Sequence, residues 1–130
     1  MHPPIFIPAP DYDRLVSIAE GFARSEPDVA EFLLQELGRA STTAPGRKTQ
    51  VVVMGSHIRF RDESTGRDRE AQLVYPEEAD AAQNRISILT PVGAALIGLS
   101  EGQTMCWRTR DGKEKSLTVL EVRDALESVA

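Results

Sequence analysis

The hydrophobic periodicity of the chain changes at STTAPGRK, residues 41–48, and this change constrains the fold more than any other feature. Before this stretch, apolar residues recur every three or four positions, as in amphipathic helices. After it, they alternate with polar residues or form short β-branched runs, as in strands. The stretch itself is small and polar and contains Pro and Gly, which is typical of a linker. The sequence therefore predicts an α+β protein with a helical unit over residues 1–46 and a sheet unit over residues 47–130.

Two short helices are predicted in the N-terminal unit, after a proline-rich extended segment. Asp11 is a suitable N-cap for the first helix and Ser25 for the second, with Pro27 in the first turn of the second helix. Each helix carries an apolar stripe, and the stripes consist of Leu15, Ile18, Ala19 and Phe22, and of Val29, Phe32, Leu33 and Leu37. The tight connection predicts a short antiparallel helical hairpin. Helices of roughly 12 to 14 residues would reach only about 20 Å.

The C-terminal unit contains a series of strand-like patterns, at residues 51–54, 57–61, 70–75, 85–89, 104–108 and 115–122. The Asp111-Gly112 pair between the last two patterns is a strong hairpin signal. TPVGAALIGLSEGQ, residues 90–103, interrupts the series with one short helix. Thr90 is its expected N-cap, Pro91 fits its first position, and Gly98 is placed for the left-handed residue that follows a helix. We therefore expect an antiparallel sheet interrupted by one short helix.

Composition and charge argue against several classes of protein. The formal net charge of −5 disfavours a protein that coats nucleic acid. The single cysteine, Cys106, excludes an intramolecular disulfide and favours a reducing compartment, and its place in a predicted strand predicts a buried, unreactive thiol. The N-terminus lacks the basic region and long apolar run of a signal peptide or a membrane anchor. We therefore expect a cytoplasmic protein that does not bind a membrane.

No catalytic or metal-binding pattern is visible in the sequence. His2 and His57 lack partners at ligand spacing, and no glycine pattern matches a phosphate-binding loop. The clustered carboxylates are interpreted as solvated charge runs, and they are Glu26, Asp28, Glu77, Glu78 and Asp80. Four arginines around one turn alternate with acids, which predicts local neutralisation, and they are Arg59, Arg61, Arg67 and Arg69. The sequence thus predicts no catalytic residue, no metal site and no cofactor, which leaves a binding module.

Two longer stretches resemble the Gre transcription factors. ISILTPVGAALIGLSEGQTM, residues 86–105, is similar to the family signature with its Ser-Pro corner and small-residue helix, and LVYPEEAD, residues 73–80, is similar to the family's P-x-E-A-D loop. With the closing strand LTVLEV, the resemblance covers residues 51–122. The acidic tip signature D-x-S-E-N-A-E-Y of the Gre coiled coil is absent, and the predicted helices are about half as long. The chain therefore resembles most the Rnk branch, the regulators of nucleoside diphosphate kinase, whose helical hairpin is shortened.

The resemblance implies a fold, a partner and a mode of action. In this family an FKBP-like C-terminal domain docks on RNA polymerase at the rim of the secondary channel, and the coiled-coil tip holds a Mg²⁺ ion for transcript cleavage. Thr90 and Pro91 match the Ser-Pro corner with which the family contacts polymerase, and Leu89 and Val92 flank it and would belong to the same surface. The acids nearest the tip of the short hairpin are Glu26 and Asp28. The implied protein is a non-enzymatic, monomeric regulator that competes with Gre-type factors without stimulating cleavage and meets nucleic acid only through the polymerase.

Two alternatives remain open at this point. An FKBP-like fold is also compatible with a peptidyl-prolyl isomerase or a peptide-binding module, although aromatic residues make up only 5% of the chain and an isomerase needs an aromatic-walled pocket. Transcript cleavage that survives through Glu26 and Asp28 is the other alternative. The short reach of the predicted hairpin argues against it.

Overall fold

The computed structural model describes residues 5–42, 51–109 and 111–123. The helices are α1 (Ala9–Gly21), α2 (Pro27–Arg39) and α3 (Pro91–Leu96). The strands are β1 (His57–Asp62), β2 (Arg67–Val74), β3 (Arg85–Ser87), β4 (Thr104–Arg108) and β5 (Glu114–Arg123). Two 3-10 helices, Pro76–Glu78 and Ala81–Gln83, connect β2 to β3. These elements confirm the mixed α+β class, while residues 43–48 of the predicted linker lie outside the described residues.

α1 and α2 lie where they were predicted, but neither begins at its predicted cap. α1 begins at Ala9 without a side-chain cap, and Asp11 lies within its first turn. α2 begins at Pro27, after Glu26, and also has no side-chain cap. A proline in the first turn of each helix explains these starts, since its ring holds a helical φ angle and it has no N–H that needs an acceptor. The predicted caps at Asp11 and Ser25 were therefore wrong.

The five strands form one sheet in the order β3-β2-β1-β5-β4. The pairs of β1 with β2 and β5, and of β4 with β5, are antiparallel. β3 runs parallel to β2, with Leu73 opposite Ile86. The two 3-10 helices carry the chain back along the sheet edge, and Asn84, at a φ of 57°, turns it into β3. The expectation of a wholly antiparallel sheet was wrong, because the acidic segment after β2 forms a crossover rather than a hairpin.

The β-branched run at residues 51–54 is not a strand of the sheet. Val51 forms only an isolated bridge with Ser100. Val52 is fully buried, and its backbone N–H donates to the carbonyl of Leu99 while its carbonyl accepts from the N–H of Gly98. A turn follows at once, because the Ser56 hydroxyl accepts from the N–H of Val53. The run therefore pairs with the segment after α3, and its predicted place in the sheet was wrong.

One hydrophobic cluster joins the helix pair to the sheet. Its helical members include Leu15 and Ala19 from α1 and Leu33 and Leu37 from α2, and its strand members include Phe60, Leu73, Met105 and Leu117. Ile5 and Ile7, in the proline-rich segment that was expected to be irregular, also belong to this cluster. Their segment is held by backbone hydrogen bonds from Phe6 N–H to the Gly98 carbonyl and from Ile7 N–H to the Ser41 carbonyl. The helix pair is therefore packed on the sheet.

The start of α3 is held tightly against the end of β3. The hydroxyl of Thr90 donates to the carbonyl of Ser87 at 2.8 Å and accepts from the N–H of Gly93 at 3.0 Å, which confirms the predicted N-cap. Gly93 packs so closely that a Cβ atom there would lie 2.3 Å from the Ser87 carbonyl oxygen. At the other end, Gly98 has a φ of 81°, which confirms the predicted left-handed residue. Both ends of α3 are thus fixed by local geometry.

α1 is fastened to the end of β2 by polar contacts around Tyr75. The phenol of Tyr75 donates to the Asp11 carboxylate at 3.2 Å, and the Arg14 guanidinium lies 3.7 Å from the centre of the Tyr75 ring. Arg14 also pairs with Glu77 at 2.9 Å. Burial, and next the negative charge of Asp11, raise the pKa of Tyr75 to about 12. Asp11 therefore serves the contact between α1 and the sheet instead of capping the helix.

The close packing of Gly93 predicts a large effect of one methyl group. Gly93→Ala is expected to lower the free energy of unfolding by at least about 2 kcal/mol, because the new Cβ overlaps a backbone oxygen that cannot move away cheaply. Gly38→Ala is the matched control, since no heavy atom other than those of its chain neighbours and of the surrounding α2 backbone lies within 4 Å of its Cβ position. The control should stabilise the protein by about 0.5 kcal/mol through helix propensity. Urea unfolding measures both, and equal midpoints for the two variants would contradict this account of the corner.

The Tyr75 contact predicts a step in alkaline stability. The pKa of Tyr75 in the folded protein, about 12, lies above the ordinary value of 10.0, so folding favours the neutral phenol. Its contribution to stability is therefore fully present below a pH of about 10 and is lost as the pH rises through about 12. Unfolding of Tyr75→Phe and of the parent should show a stability difference that shrinks across this interval.

The pKa of Tyr75 is measured by following tyrosinate absorbance against pH in a Tyr12→Phe variant, in which Tyr75 is the remaining tyrosine. Adding Asp11→Asn to this variant should lower the pKa of Tyr75. An unchanged pKa would contradict the proposed contribution of Asp11.

Candidate functional site

The predicted contact residues lie together at the surface corner between β3 and α3. Pro91 is exposed, while Leu89, Thr90 and Val92 are partly buried. Leu89 lies beyond the end of β3, and its N–H donates to the hydroxyl of Ser87 at 3.0 Å. With the two hydrogen bonds of Thr90, these contacts hold the corner rigidly. We call residues 89–92 the Thr-Pro corner.

The turn before α2 lies beside this corner. Glu26 and Asp28 are exposed, and both line an open groove of ≈ 910 Å³ that also has Pro91 in its wall. Trp107, from β4, and Asp111, from the turn after it, line the same groove. The structure therefore brings the predicted hairpin-tip acids and the predicted polymerase contact to one surface. The sequence contains no signal for this proximity, because it depends on how α2 packs on the sheet.

Two aromatic rings line this groove. The centroids of Phe32 and Trp107 are 6.3 Å apart, and their planes are tilted by 32°. Nε1 of Trp107 is buried and has no hydrogen-bond partner among the described residues. We call the groove lined by Glu26, Glu31, Phe32, Pro91, Trp107 and Asp111 the α2–β4 groove. Sequence analysis missed it, although the position of Phe32 on the α2 stripe and the alternation of β4 both direct these rings toward the core side.

Cys106 is exposed, so the predicted burial of its thiol was wrong. Side chains alternate along β4, with Met105 buried and Trp107 partly buried on one face and Cys106 between them on the other. The general tendency of cysteine to be buried was outweighed by its position in the strand.

The other charged clusters are engaged in local contacts. Around the β1–β2 turn, Arg61 pairs with Asp68 at 3.0 Å, which supports the predicted neutralisation of the arginines there. In the acidic segment, Glu77 pairs with Arg14, and the Asp80 carboxylate accepts from the N–H of Ala82. Across residues 5–42, 51–109 and 111–123, no group of three or more His, Cys, Asp or Glu side chains is arranged to hold a metal ion. None of the helices described is both long and apolar enough to cross a membrane.

Comparisons with protein families assign both parts of the chain. Residues 47–124 match the family described as "Transcription elongation factor, GreA/GreB, C-term". Residues 3–41 match the family described as "Rnk N-terminus". Residues 42–46 lie between the two matches.

Individual relatives agree with the family matches. The "Regulator of nucleoside diphosphate kinase" of Escherichia coli K12 is 36% identical over 121 residues, which cover 92% of this chain and 89% of the relative. A "Transcription elongation factor GreA" of Syntrophobacter fumaroxidans is 33% identical, over 71% of this chain and 59% of that protein. The solved structure of a "Prokaryotic transcription elongation factor GreA/GreB from Nitrosomonas europaea" has a TM-score of 0.68 and 35% identity, and the match covers 91% of this chain and 98% of that one. The broad match to both family descriptions and to the Escherichia coli regulator places the chain in the Gre/Rnk family of transcription factors, within its Rnk branch.

Proposed function

We propose that this protein is a non-enzymatic, cytoplasmic regulator that binds RNA polymerase at the rim of the secondary channel through the Thr-Pro corner. It competes there with Gre-type factors and does not stimulate transcript cleavage. Its relatives support the general role, since they are named as a regulator and as transcription elongation factors. We further propose that the C-terminal part has the FKBP-like arrangement, that α1 and α2 form an antiparallel hairpin, and that the protein acts as a monomer.

The observation that carries this proposal is the position of Glu26 and Asp28 next to Pro91 in one groove. If the Thr-Pro corner lies on the polymerase rim, the turn of the helix pair lies at the rim as well. Each helix has 13 residues and spans about 20 Å, and both are packed on the core through Leu15, Leu33 and Leu37. Acids in this position occupy the entrance and do not extend far into a channel.

The local geometry of the Thr-Pro corner suits a docking surface. The Thr90 hydroxyl makes hydrogen bonds to both Ser87 and Gly93, so the backbone conformation of the corner is fixed before any partner binds. A preformed surface loses little conformational entropy on association. The ring of Pro91 is exposed on this fixed backbone and offers a rigid apolar contact.

The isomerase alternative has no specific support. The matched families are described as transcription elongation factors and as the Rnk N-terminus. The α2–β4 groove does contain two aromatic rings, but it is open on one side instead of enclosing a prolyl bond.

Replacing Pro91 tests the docking surface directly. Pro91→Ala should weaken binding to core RNA polymerase roughly three- to tenfold, because the exposed ring contact and part of the rigidity are lost. Pro10→Ala is the matched control, since Pro10 is an exposed proline in the first turn of another helix. Binding is measured by titration of labelled protein with core polymerase. The midpoints of urea unfolding of both variants should lie close to that of the parent.

The same titration includes a competition arm. A Gre factor should displace the parent protein from polymerase, because both would occupy the rim. If Pro91→Ala bound like Pro10→Ala, or if a Gre factor failed to displace the protein, the proposed surface would be wrong.

A cleavage assay tests the non-enzymatic part of the proposal. In backtracked elongation complexes, the protein should leave the rate of transcript cleavage at its basal value, while a Gre factor in a parallel reaction accelerates it. A Glu26→Gln, Asp28→Asn double variant should behave like the parent, since these acids are placed at the rim. Stimulated cleavage that disappears in the double variant would mean that the acids reach the catalytic Mg²⁺, contrary to the proposal.

A further inference from the structure

The α2–β4 groove is rich in carboxylates. Among its described lining residues are four carboxylates, those of Glu26, Asp28, Glu31 and Asp111, and one guanidinium, that of Arg108. Arg108 already pairs with Glu114, which lies 3.2 Å away. Glu31 is exposed on α2, and Asp111 is exposed in the turn after β4, where its carboxylate accepts from the Thr109 hydroxyl and lies 4.0 Å from the Lys113 ammonium. An exposed ion pair of this length contributes little, so the Asp111 carboxylate remains able to bind a closer cation. A cationic group in the groove would therefore have carboxylates on both sides.

The lining of the groove also includes two aromatic rings. Phe32 and Trp107 pack with their centroids 6.3 Å apart. A guanidinium is the cation that suits both features, because its flat face stacks on aromatic rings while its edge forms paired hydrogen bonds with carboxylates. A lysine ammonium can also lie over an aromatic ring, but it lacks the flat face and the paired edge donors of a guanidinium. The combination of aromatic and acidic lining selects arginine.

Trp107 adds an unused hydrogen-bond donor. Its Nε1 atom is buried beneath the groove surface and lacks an acceptor within the described part of the chain. The ring is therefore positioned by packing, with no hydrogen bond that fixes its orientation. A backbone carbonyl of a bound peptide would supply the missing acceptor once the ring turns toward it, and a buried donor gains more from such a bond than an exposed one.

We propose that the α2–β4 groove binds an extended segment of RNA polymerase that carries an arginine side chain, with the guanidinium between Glu31 and Asp111 and over the ring of Trp107. Pro91 belongs both to this groove and to the Thr-Pro corner, so the two surfaces are continuous. The inference rests on the proposed polymerase binding and extends it: the helix pair, in addition to the sheet region, contributes half of the docking surface. The short hairpin then has a function of its own, as a wall of this groove.

A pair of charge reversals separates this contact from long-range electrostatics. Glu31→Lys places a cation in the groove, whereas Glu20→Lys makes the same charge change at an exposed position of α1 outside the groove lining. Glu31→Lys should weaken binding to core polymerase about tenfold, which corresponds to the loss of one close charge pair. Glu20→Lys should change it by less than about twofold, because a distant exposed charge is screened by salt. Titration at physiological salt measures both, alongside Pro91→Ala.

The outcomes distinguish the groove from the corner. Weakening by both Glu31→Lys and Pro91→Ala supports the groove contact. Weakening by Pro91→Ala alone overturns the groove and leaves the proposed function intact. If the parent protein does not bind polymerase, the proposed function fails and the inference fails with it. If Glu31→Lys instead abolishes a concentration-dependent dimer seen by sedimentation, the occupant is a second copy of this chain and the proposal is overturned.

The chemistry of the occupant is tested without polymerase. Trp107 is the only tryptophan in the chain, so intrinsic tryptophan fluorescence reports on the groove. The blocked tripeptide Ala-Arg-Ala should give a saturable change, and the same peptide with citrulline, which keeps the shape but has no charge, should bind at least about threefold more weakly. Glu31→Gln should reduce the difference between the peptides. An equal response to both peptides, or none to either, would overturn the assignment of arginine.

Discussion

The burial of the apolar stripes of α1 and α2 against the sheet is the interaction on which the rest of the structure depends. Helices of 13 residues are marginally stable alone in water, so their stability comes from packing. Leu15, Leu33 and Leu37 provide it by joining the hydrophobic cluster that includes Phe60 and Met105. The position of the helix pair is therefore determined by the core. The groove beside α2 follows from that position, because α2 forms one of its walls.

Because the helix pair is packed on the sheet, the acids before α2 lie close to the rest of the protein, unlike the acids at the tip of a long coiled coil. A long coiled coil holds its tip far from the domain that carries it. Here Glu26 and Asp28 share a groove with Pro91, at the corner where β3 meets α3. The corner is equally fixed, since Gly93 leaves no room between α3 and the Ser87 carbonyl. Two rigid parts of the protein thus meet at one surface, which is the surface that we propose binds the polymerase.

Local sequence patterns predicted the parts of the fold that depend on neighbouring residues. The hydroxyl of Thr90 caps α3 because cap geometry involves only residues 87–93. Gly98 takes the left-handed conformation for a similar local reason, and β1 alternates as HIRFR predicted. Cys106 could have been placed correctly from the same alternation, since Met105 and Trp107 on either side of it are the apolar residues. Its exposure was missed because the average behaviour of cysteine was given more weight than its register.

Features that depend on distant parts of the chain were not predictable in this way. The parallel pairing of β3 depends on the path of the two 3-10 helices, and the turn at Asn84 gives no strong signal in the sequence. Val52 lies in a β-branched run that is typical of a strand. Its backbone hydrogen-bond partners are nevertheless Gly98 and Leu99, which are close only because α3 ends there. The α2–β4 groove also depends on distant parts of the chain, because the Phe32 and Trp107 rings that line it are 75 positions apart in the sequence. The Thr-Pro corner was therefore within reach of sequence analysis, and the groove beside it was not.

The position of a carboxylate decides whether it can take part in transcript cleavage. In a metal-assisted cleavage, a carboxylate contributes as a ligand only where it reaches the metal ion, and its residue type alone does not decide this. In this chain the acids before α2 line the same groove as Glu31, Asp111 and two aromatic rings, a lining suited to a guanidinium, whereas a divalent cation is held by several oxygen ligands. Under the proposed function, the acids beside the sheet region hold the polymerase instead of acting on the transcript.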